Sequence, residues 1–343
     1  MDSSFIQGTT LTESGSLGRR RPIRVPAVRN GRPSAGATGQ LDVTVLMGGP
    51  SDEREVSMMS GRAIADALKR LGHHVTPADI APDNLAALES PGIDVVFIAL
   101  HGAFGESGEV QDLCRQRGLR YTGSGPEASR LAMDKAVCKQ ICRRAGLITP
   151  DWVVVAESHS RRQRERLLSS VPPPVVVKPV DGGSSLDVVI ARDDRTCEQA
   201  MAEQLGRYGR VLVERYVQGR ELTVGVLGDN VLPVLEIVPA VEFYDYYAKY
   251  ADDSGTRYVF DHGLADSMVR DVRADAWKCF RALGCRDLGR VDFIMDATGR
   301  AWLLEINTIP GFTGHSLLPM AAEKVGMSFD QMVQALVEMA LER

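Results

Sequence analysis

The chain of 343 residues is long enough for two or three packed domains, and 44% of it is hydrophobic, an ordinary share for a globular protein. A formal net charge of -5 gives no basic footprint of the kind nucleic-acid binders carry, and no apolar run approaches a membrane span, so neither nucleic acid nor a membrane is expected as a partner. The six cysteines, Cys114, Cys138, Cys142, Cys197, Cys279 and Cys285, form no C-x-x-C pair and read as reduced, buried thiols.

Residues 1–40 carry six arginines against two acids, many Ser, Gly and Pro, and no sustained periodicity. They read as a disordered basic tail; an Arg- and Ser-rich start also mimics a transit peptide, and the apolar core of a secretory signal is missing. Order is expected from Asp42. Val43-Thr-Val-Leu-Met47 is a short buried strand, Gly48-Gly-Pro-Ser51 a turn, and Glu55–Leu71 carries Val56, Met59, Ala63, Ala67 and Leu71 at helical spacing before Gly72 ends it. Val75–Ile80 and Val95–Leu100 are further strands followed by helical sequence, so this part reads as a small parallel α/β unit. Ligands of such sheets sit at the carboxyl ends of strands, where the loops Gly48–Glu53 and His101–Gly108 fall.

A helix over Met133–Ala145 leads to a second unit: strand Trp152–Ala156, a polar helix and strand Val175–Lys178. A third region is richer in strands, with Val211–Tyr216, Leu222–Leu227, Val231–Ile237, Val291–Met295 and Ala301–Ile306. Helices over Ser316–Val325 and Asp330–Leu341 close the chain. The irregular segment Pro239–Gly263 is long for a loop in a compact domain, and its aromatic and charged content suits a lid or binding loop.

Two stretches carry chemistry. Around a turn at Asp296–Gly299, Asp292 on one strand should lie near Glu305 on the next, with Asn307 on the same face as Glu305. Such oxygens suit a hard cation such as Mg²⁺, which completes its shell with substrate phosphates; they are equally the polar face of a half-exposed strand. The second stretch is Val176-Val-Lys-Pro-Val-Asp-Gly-Gly-Ser-Ser-Leu-Asp187. It is no Walker A motif, because Lys178 precedes the glycines. Lys178 can neutralise phosphate charge, Gly182 and Gly183 allow close backbone approach, and Ser184 and Ser185 can bond phosphate oxygens; the same residues also make a good hairpin turn. Glu214 and Glu221 bracket the start of a strand pair, as nucleotide contacts or surface charges, while Lys135 begins a helix and His101 ends a strand.

Taken together, the segments from Asp42 onward resemble the D-alanine:D-alanine ligases of the ATP-grasp superfamily. The resemblance rests on Gly-Gly-Pro-Ser-Asp-Glu-Arg-Glu-Val-Ser (48–57), Ala-Leu-His-Gly (99–102), Tyr-Thr-Gly-Ser-Gly (121–125), Met-Asp-Lys (133–135), Phe-Tyr-Asp-Tyr-Tyr-Ala-Lys-Tyr (243–250) and Glu-Ile-Asn-Thr-Ile-Pro-Gly-Phe-Thr-Gly-His-Ser-Leu (305–317). It implies a three-domain α/β architecture: an N-terminal parallel α/β substrate domain (41–123), with ATP held between a central domain (124–214) and a C-terminal domain (215–343).

The implied reaction is ATP-dependent ligation of two D-alanines for peptidoglycan precursor, in the cytoplasm, by a homodimer. Carried over by position, Lys135, Lys178, Gly183, Ser185 and Lys249 would contact the nucleotide phosphates or the transferred group, Glu214 and Val217 the adenine, and Glu221 the ribose. Asp292, Glu305 and Asn307 would hold two Mg²⁺ ions, with Mn²⁺ as a substitute. Arg290 and the Gly311 N–H match the oxyanion-stabilising groups. Glu53 would bind the first ammonium with Ser184 and Tyr250, His101 would contact substrate, and Ser316 and Leu317 would hold the second carboxylate. Tyr250 implies an amide-forming rather than an ester-forming enzyme. The chain departs from the family pattern at Gly182, where an acidic residue is usual, and at Leu186-Asp187, where Val-Gly is usual. It departs again at Ala103, Ser107 and Tyr247, where arginine, aspartate and glutamate are common, and at Asp261-His262, where Pro-Ala is common.

Overall fold

The computed structural model describes residues 39–183, 187–240, 255–314 and 316–343. Most of the expected tail, Ser184 and Ser185, and the residues 241–254 that include Lys249 and Tyr250 lie outside the described residues.

Strands β1 (Asp42–Met47), β2 (His74–Asp79) and β3 (Val95–Ile98) form a parallel sheet in the order β2-β1-β3. The unbroken apolar runs of β1 and β3 are buried, as strands covered on both faces require, and the mostly exposed β2 lies at the edge. Helix α1 (Arg54–Arg70) returns across the sheet and buries Val56, Ile64, Ala67 and Leu68. Helix α2 (Glu109–Gln116) follows the His101 loop. The core under α1 also contains Val333, Leu336 and Val337 of the last helix, so the first and last described helices share one apolar cluster.

The helix expected over 133–145 is α4 (Lys135–Arg144), and a break at Asp134 separates it from a preceding helix that the sequence reading did not include, α3 (Pro126–Met133). The break has a physical cause. Asp134 leaves the helical region with ψ 101, and its carboxylate accepts a hydrogen bond from the Val137 N–H at 2.9 Å, capping α4.

The next unit is a four-stranded sheet, β4 (Trp152–Ala156), β5 (Val175–Pro179), β6 (Val189–Ala191) and β7 (Arg210–Arg215), in the order β4-β7-β5-β6. The sequence reading grouped 211–216 with the later strands; the structure inserts β7 between β4 and β5, antiparallel to both. A run of four buried residues fits either sheet, and only tertiary pairing decides between them. Helix α5 (Arg161–Leu168) buries no residue, whereas α6 (Asp194–Tyr208) covers the sheet through Cys197, Ala200, Met201 and Leu205.

The largest sheet runs β10-β9-β8-β11-β12: β8 (Arg220–Leu227), β9 (Asn230–Val238), β10 (Arg257–Val259), β11 (Leu288–Met295) and β12 (Ala301–Asn307). Strand β10 is a short edge within the segment expected to be irregular. Period-two alternation splits the central strands. Leu222, Val224, Val291 and Phe293 pack on α7 (Asp266–Ala282) and α4, while Thr223, Arg290 and Asp292 share the opposite face. Helices α8 (Leu317–Lys324) and α9 (Phe329–Leu341) close the chain. All six cysteines are buried free thiols, and Cys142 on α4 meets Cys279 on α7 with 3.4 Å between sulfurs. Among the described residues, no helix is long and apolar enough to cross a membrane.

Gly61 marks the tightest contact of α1 with the first sheet: a Cβ there would lie 2.4 Å from the Met47 Cβ. Gly61→Ala should therefore lower unfolding stability by about 1–3 kcal/mol, read as a fall in the urea midpoint at unchanged slope.

Candidate active site

A cleft of about 660 Å³ opens between the three sheets. One part is a slot walled by Val176, Ile190, Ile237, Ile294 and Leu304, with the carboxylates of Glu214 and Glu221 and the chain at Val217 on its border. Lys135, Lys178, Asp292 and Glu305 line the part beside it, and Glu53, Gly102 and Gly183 close the far end. An apolar slot leading to a cluster of charges suits a molecule with a flat apolar end and an anionic one.

Strand pairing sets the carboxylates. Asp292 stands opposite Glu305 and Thr223, and Arg290 opposite Asn307; a bulge follows Asp292, so Phe293 pairs with Leu303. The bulge keeps Glu305 beside Asp292 while Leu303 stays in the core. The Thr223 hydroxyl donates to Asp292 Oδ1 at 2.6 Å. Arg290 clasps the same carboxylate, Nε to Oδ1 at 3.0 Å and Nη2 to Oδ2 at 2.8 Å. Lys135 Nζ lies 3.8 Å from Glu305 Oε2. The Asn307 amide oxygen accepts from the Ile309 N–H at 3.0 Å. Among the described residues, no three His, Cys, Asp or Glu side chains form a metal-holding group, so a third oxygen here would come from Asn307.

Glu53 precedes α1, placed by a turn that only glycine permits: Gly48 and Gly49 have φ of +77° and +83°, and a Cβ on Gly48 would strike Asp79 at 2.2 Å. Arg54 and the Gly49 N–H hold Asp79 there. The Glu53 carboxylate is approached from two sides, since a Cβ on Gly102 or Gly183 would come within 2.8 or 2.9 Å of its Oε2. Glu106, absent from the sequence reading, lies near it. Burial first, then the Glu53 charge, push the Glu106 carboxyl up to about 8, so it keeps its proton at neutral pH.

His101 does not line the cleft. Its Nδ1 is 3.1 Å from the Ile309 carbonyl and its Nε2 3.0 Å from the Ser60 hydroxyl, so it braces α1 against the loop after β12. Burial draws its pKa down to about 4, keeping the ring neutral. Gly311 and Ser316 belong to one tight turn: a Cβ on Gly311 would meet Ser316 Oγ at 2.7 Å, and that hydroxyl accepts from the Thr313 N–H at 2.8 Å. Leu317 begins α8 and packs with Leu235 and Ile237.

Glu214 is the most enclosed member. Its two oxygens take Lys178 and Lys139, each at 2.6 Å. Burial pushes this carboxyl up, and the two lysines outweigh it and bring it down to about 2. Lys139 was missed in the sequence; the one signal is its position four residues after Lys135, one turn along α4.

The segment between β5 and β6 shows how this chain accommodates its departures. Gly182 has φ +126°, open only to glycine, and its carbonyl accepts a hydrogen bond from Lys135 Nζ. Asp187 adopts φ +57°, held by Gln204 Nε2 on its carbonyl at 2.5 Å and by Arg207 and Tyr208 on its carboxylate. No atom lies within 4 Å of a Cβ on Gly182, so Gly182→Ala or Gly182→Glu would strain the backbone without a clash. Each variant should raise the apparent KM for nucleotide several-fold and lower the melting temperature by a few degrees, on the scale of the roughly 1–2 kcal/mol that a side chain held at positive φ costs.

A pH dependence follows from His101. Its pKa falls from 6.5 when free to about 4 in the fold, so the unfolded chain binds the extra proton between these values. Stability should decline as pH drops from 6.5 toward 4, and His101→Gln should flatten that limb of a midpoint-against-pH curve.

Residues 141–338 match the family described as D-ala D-ala ligase C-terminus. The chain is 43% identical to a D-alanine–D-alanine ligase of Gloeobacter violaceus over 88% of its own length and 100% of the relative's. Among solved structures, the D-alanine–D-alanine ligase from Bacillus anthracis complexed with ATP matches with a TM-score of 0.77 and 31% identity, over 89% of this chain and 98% of that one. A D-Ala:D-Ser ligase from Enterococcus faecalis matches with the same TM-score of 0.77 and 25% identity, over 88% and 100% of the two chains. The chain thus belongs to the D-alanine–D-alanine ligase family of ADP-forming enzymes.

Proposed function

We propose that this protein joins two D-alanine molecules into D-alanyl-D-alanine with hydrolysis of ATP to ADP and phosphate, supplying peptidoglycan precursor in the cytoplasm. The observation that carries the reading is the cleft itself: an apolar slot bordered by Glu214 and Glu221 that leads to Lys135, Lys178 and the facing pair Asp292 and Glu305. Adenine fits the slot, Glu214 accepting from its amine and Glu221 from the ribose hydroxyls. Lys135 and Lys178 then meet the phosphates.

The donor set fits a hard divalent cation. Two facing carboxylates and the Asn307 amide oxygen offer oxygen ligands, and Arg290 and Lys135 already set positive charge against the carboxylates at 2.8 and 3.8 Å. Asp292, Glu305 and Asn307 would hold Mg²⁺, two ions by family resemblance, with Mn²⁺ as a substitute. When bound, such ions neutralise charge on the transferring phosphoryl group.

In the first step a carboxylate oxygen of one D-alanine bonds to the γ-phosphorus and the bond to ADP breaks. Glu53, buried at the far end of the cleft, binds the ammonium of that substrate, with Ser184 and Tyr250 as its partners by resemblance. In the second step the amine of another D-alanine attacks the acyl carbon, phosphate leaves with its electron pair, and the proton lost by the nitrogen ends on the departing phosphate. Arg290 and the Gly311 N–H stabilise the oxyanion that forms between attack and departure. Ser316 and the Leu317 N–H hold the carboxylate of the second substrate, with His101 bracing the loop that carries Gly311. By family resemblance, Lys249 would contact the transferred group and Tyr250 would select an amine over a hydroxyl acceptor. Three units by family boundaries (41–123, 124–214 and 215–343) and a homodimer complete the reading.

Phosphate release with MgATP tests it. D-Alanine alone should support turnover, whereas L-alanine should not, and neither D-lactate nor D-serine should improve on D-alanine as acceptor. Glu305→Gln should lower kcat about 100-fold or more, the scale on which a lost charge-stabilising group acts. Turnover only when D-serine or D-lactate is added would overturn the assignment of the second substrate; no turnover with any pair would overturn the ligase reading.

A further inference from the structure

Lys139 is fully buried and does not line the cleft, yet it ends in a 2.6 Å ion pair with Glu214, which does. A buried lysine is costly unless something holds its charge. The Trp152 ring on β4, 5.2 Å from Nζ, covers it, and strand pairing sets Trp152 beside Glu214. Glu214 therefore faces two lysines for one negative charge. Lys178 lines the cleft and can turn toward an anion there; Lys139, behind the wall, cannot.

We infer that Lys139 is a positioning residue for the nucleotide base: it is the resident counter-ion of Glu214, keeping that carboxylate charged and fixed in direction when Lys178 engages a phosphate. The inference rests on the reading of Glu214 and Lys178 as nucleotide contacts. It explains why one carboxylate takes two lysines. With Lys178 alone, the base contact and the phosphate contact would compete for a single ammonium; with Lys139 present, each anion keeps its own cation. Lys139 touches neither base nor phosphate, so its effect must pass entirely through Glu214.

The test is a cycle of variants on the full-length protein, with KM for ATP, GTP and D-alanine, kcat and melting temperature as readouts. Lys139→Met should raise KM for ATP about tenfold, in line with loss of a charged hydrogen-bond partner, and should narrow the preference for ATP over GTP. KM for D-alanine should stay within about twofold, since Glu53 and the loop at Gly311 lie apart from this pair. Lys139→Arg, which keeps the charge, should restore the ATP value. In a Glu214→Gln background, Lys139→Met should add nothing to KM for ATP, and this double variant lacks both buried charges, so it serves if the single variant does not fold.

An unchanged KM for ATP in folded Lys139→Met, or a further rise in the double variant beyond Glu214→Gln alone, would overturn the inference. An unchanged KM for ATP in Glu214→Gln would instead overturn the reading of Glu214 as a base contact.

Discussion

Three adjacent antiparallel strands, β8, β11 and β12, place Thr223, Arg290, Asp292, Glu305 and Asn307 on the floor of the cleft. Because side chains alternate across a strand, the register that puts Asp292 opposite Thr223 and Glu305 also sends Val291 and Phe293 into the core on the other side. A slip of one residue would bury Arg290 and Asp292 among valines and phenylalanines while exposing the apolar set. The apolar face under α7 thus holds the polar face in place. The bulge after Asp292 provides the one local adjustment, turning β12 so that Glu305 meets Asp292 without displacing Leu303.

Charge is then arranged in three groups around the cleft. At the floor, Asp292 is clasped by Arg290 and Thr223, and Glu305 has Lys135 at salt-bridge distance. In the wall, Glu214 lies between Lys178 and Lys139. At the far end, Glu53 and Glu106 lie close enough that the Glu53 charge helps burial keep the Glu106 carboxyl protonated. Each group of acids is balanced by a different means, a guanidinium, a pair of ammonium groups or a retained proton, so adjacent acids can occupy one cavity without mutual repulsion expelling them. A phosphate-bearing ligand enters a site whose cations are already held in position.

The loops that close the site depend on glycine for two distinct reasons. Gly48, Gly49 and Gly182 supply positive φ, whereas Gly183 and Gly311 lack a Cβ where a side chain, Glu53 of another loop or Ser316 of the same turn, approaches within 3 Å. Asp187 shows the alternative solution, a non-glycine residue kept left-handed by Gln204, Arg207 and Tyr208.

The periodic parts of this molecule were legible in the chain. The apolar runs of β1 and β3, the stripe of α1 and the alternation in β11 and β12 follow from local pattern, and the turn at 296–299 was enough to set Asp292 near Glu305. The motifs from 48–57 to 305–317 pointed to the family that the comparisons show. Other features were outside the reach of local pattern. The break at Asp134 depends on one cap, the insertion of β7 between β4 and β5 on a choice among strand partners, and the engagement of the two His101 nitrogens on contacts 208 and 41 residues away. Lys139 is the clearest case: a lysine on a helix reads as a solvated charge, and only the approach of β7 and β4 makes it the buried partner of Glu214. Sequence by itself determined the elements, their apolar faces and the chemistry of the donor groups, because these depend on neighbours a few positions away. Tertiary structure decided which charges meet, because that depends on which surfaces pack and exclude water.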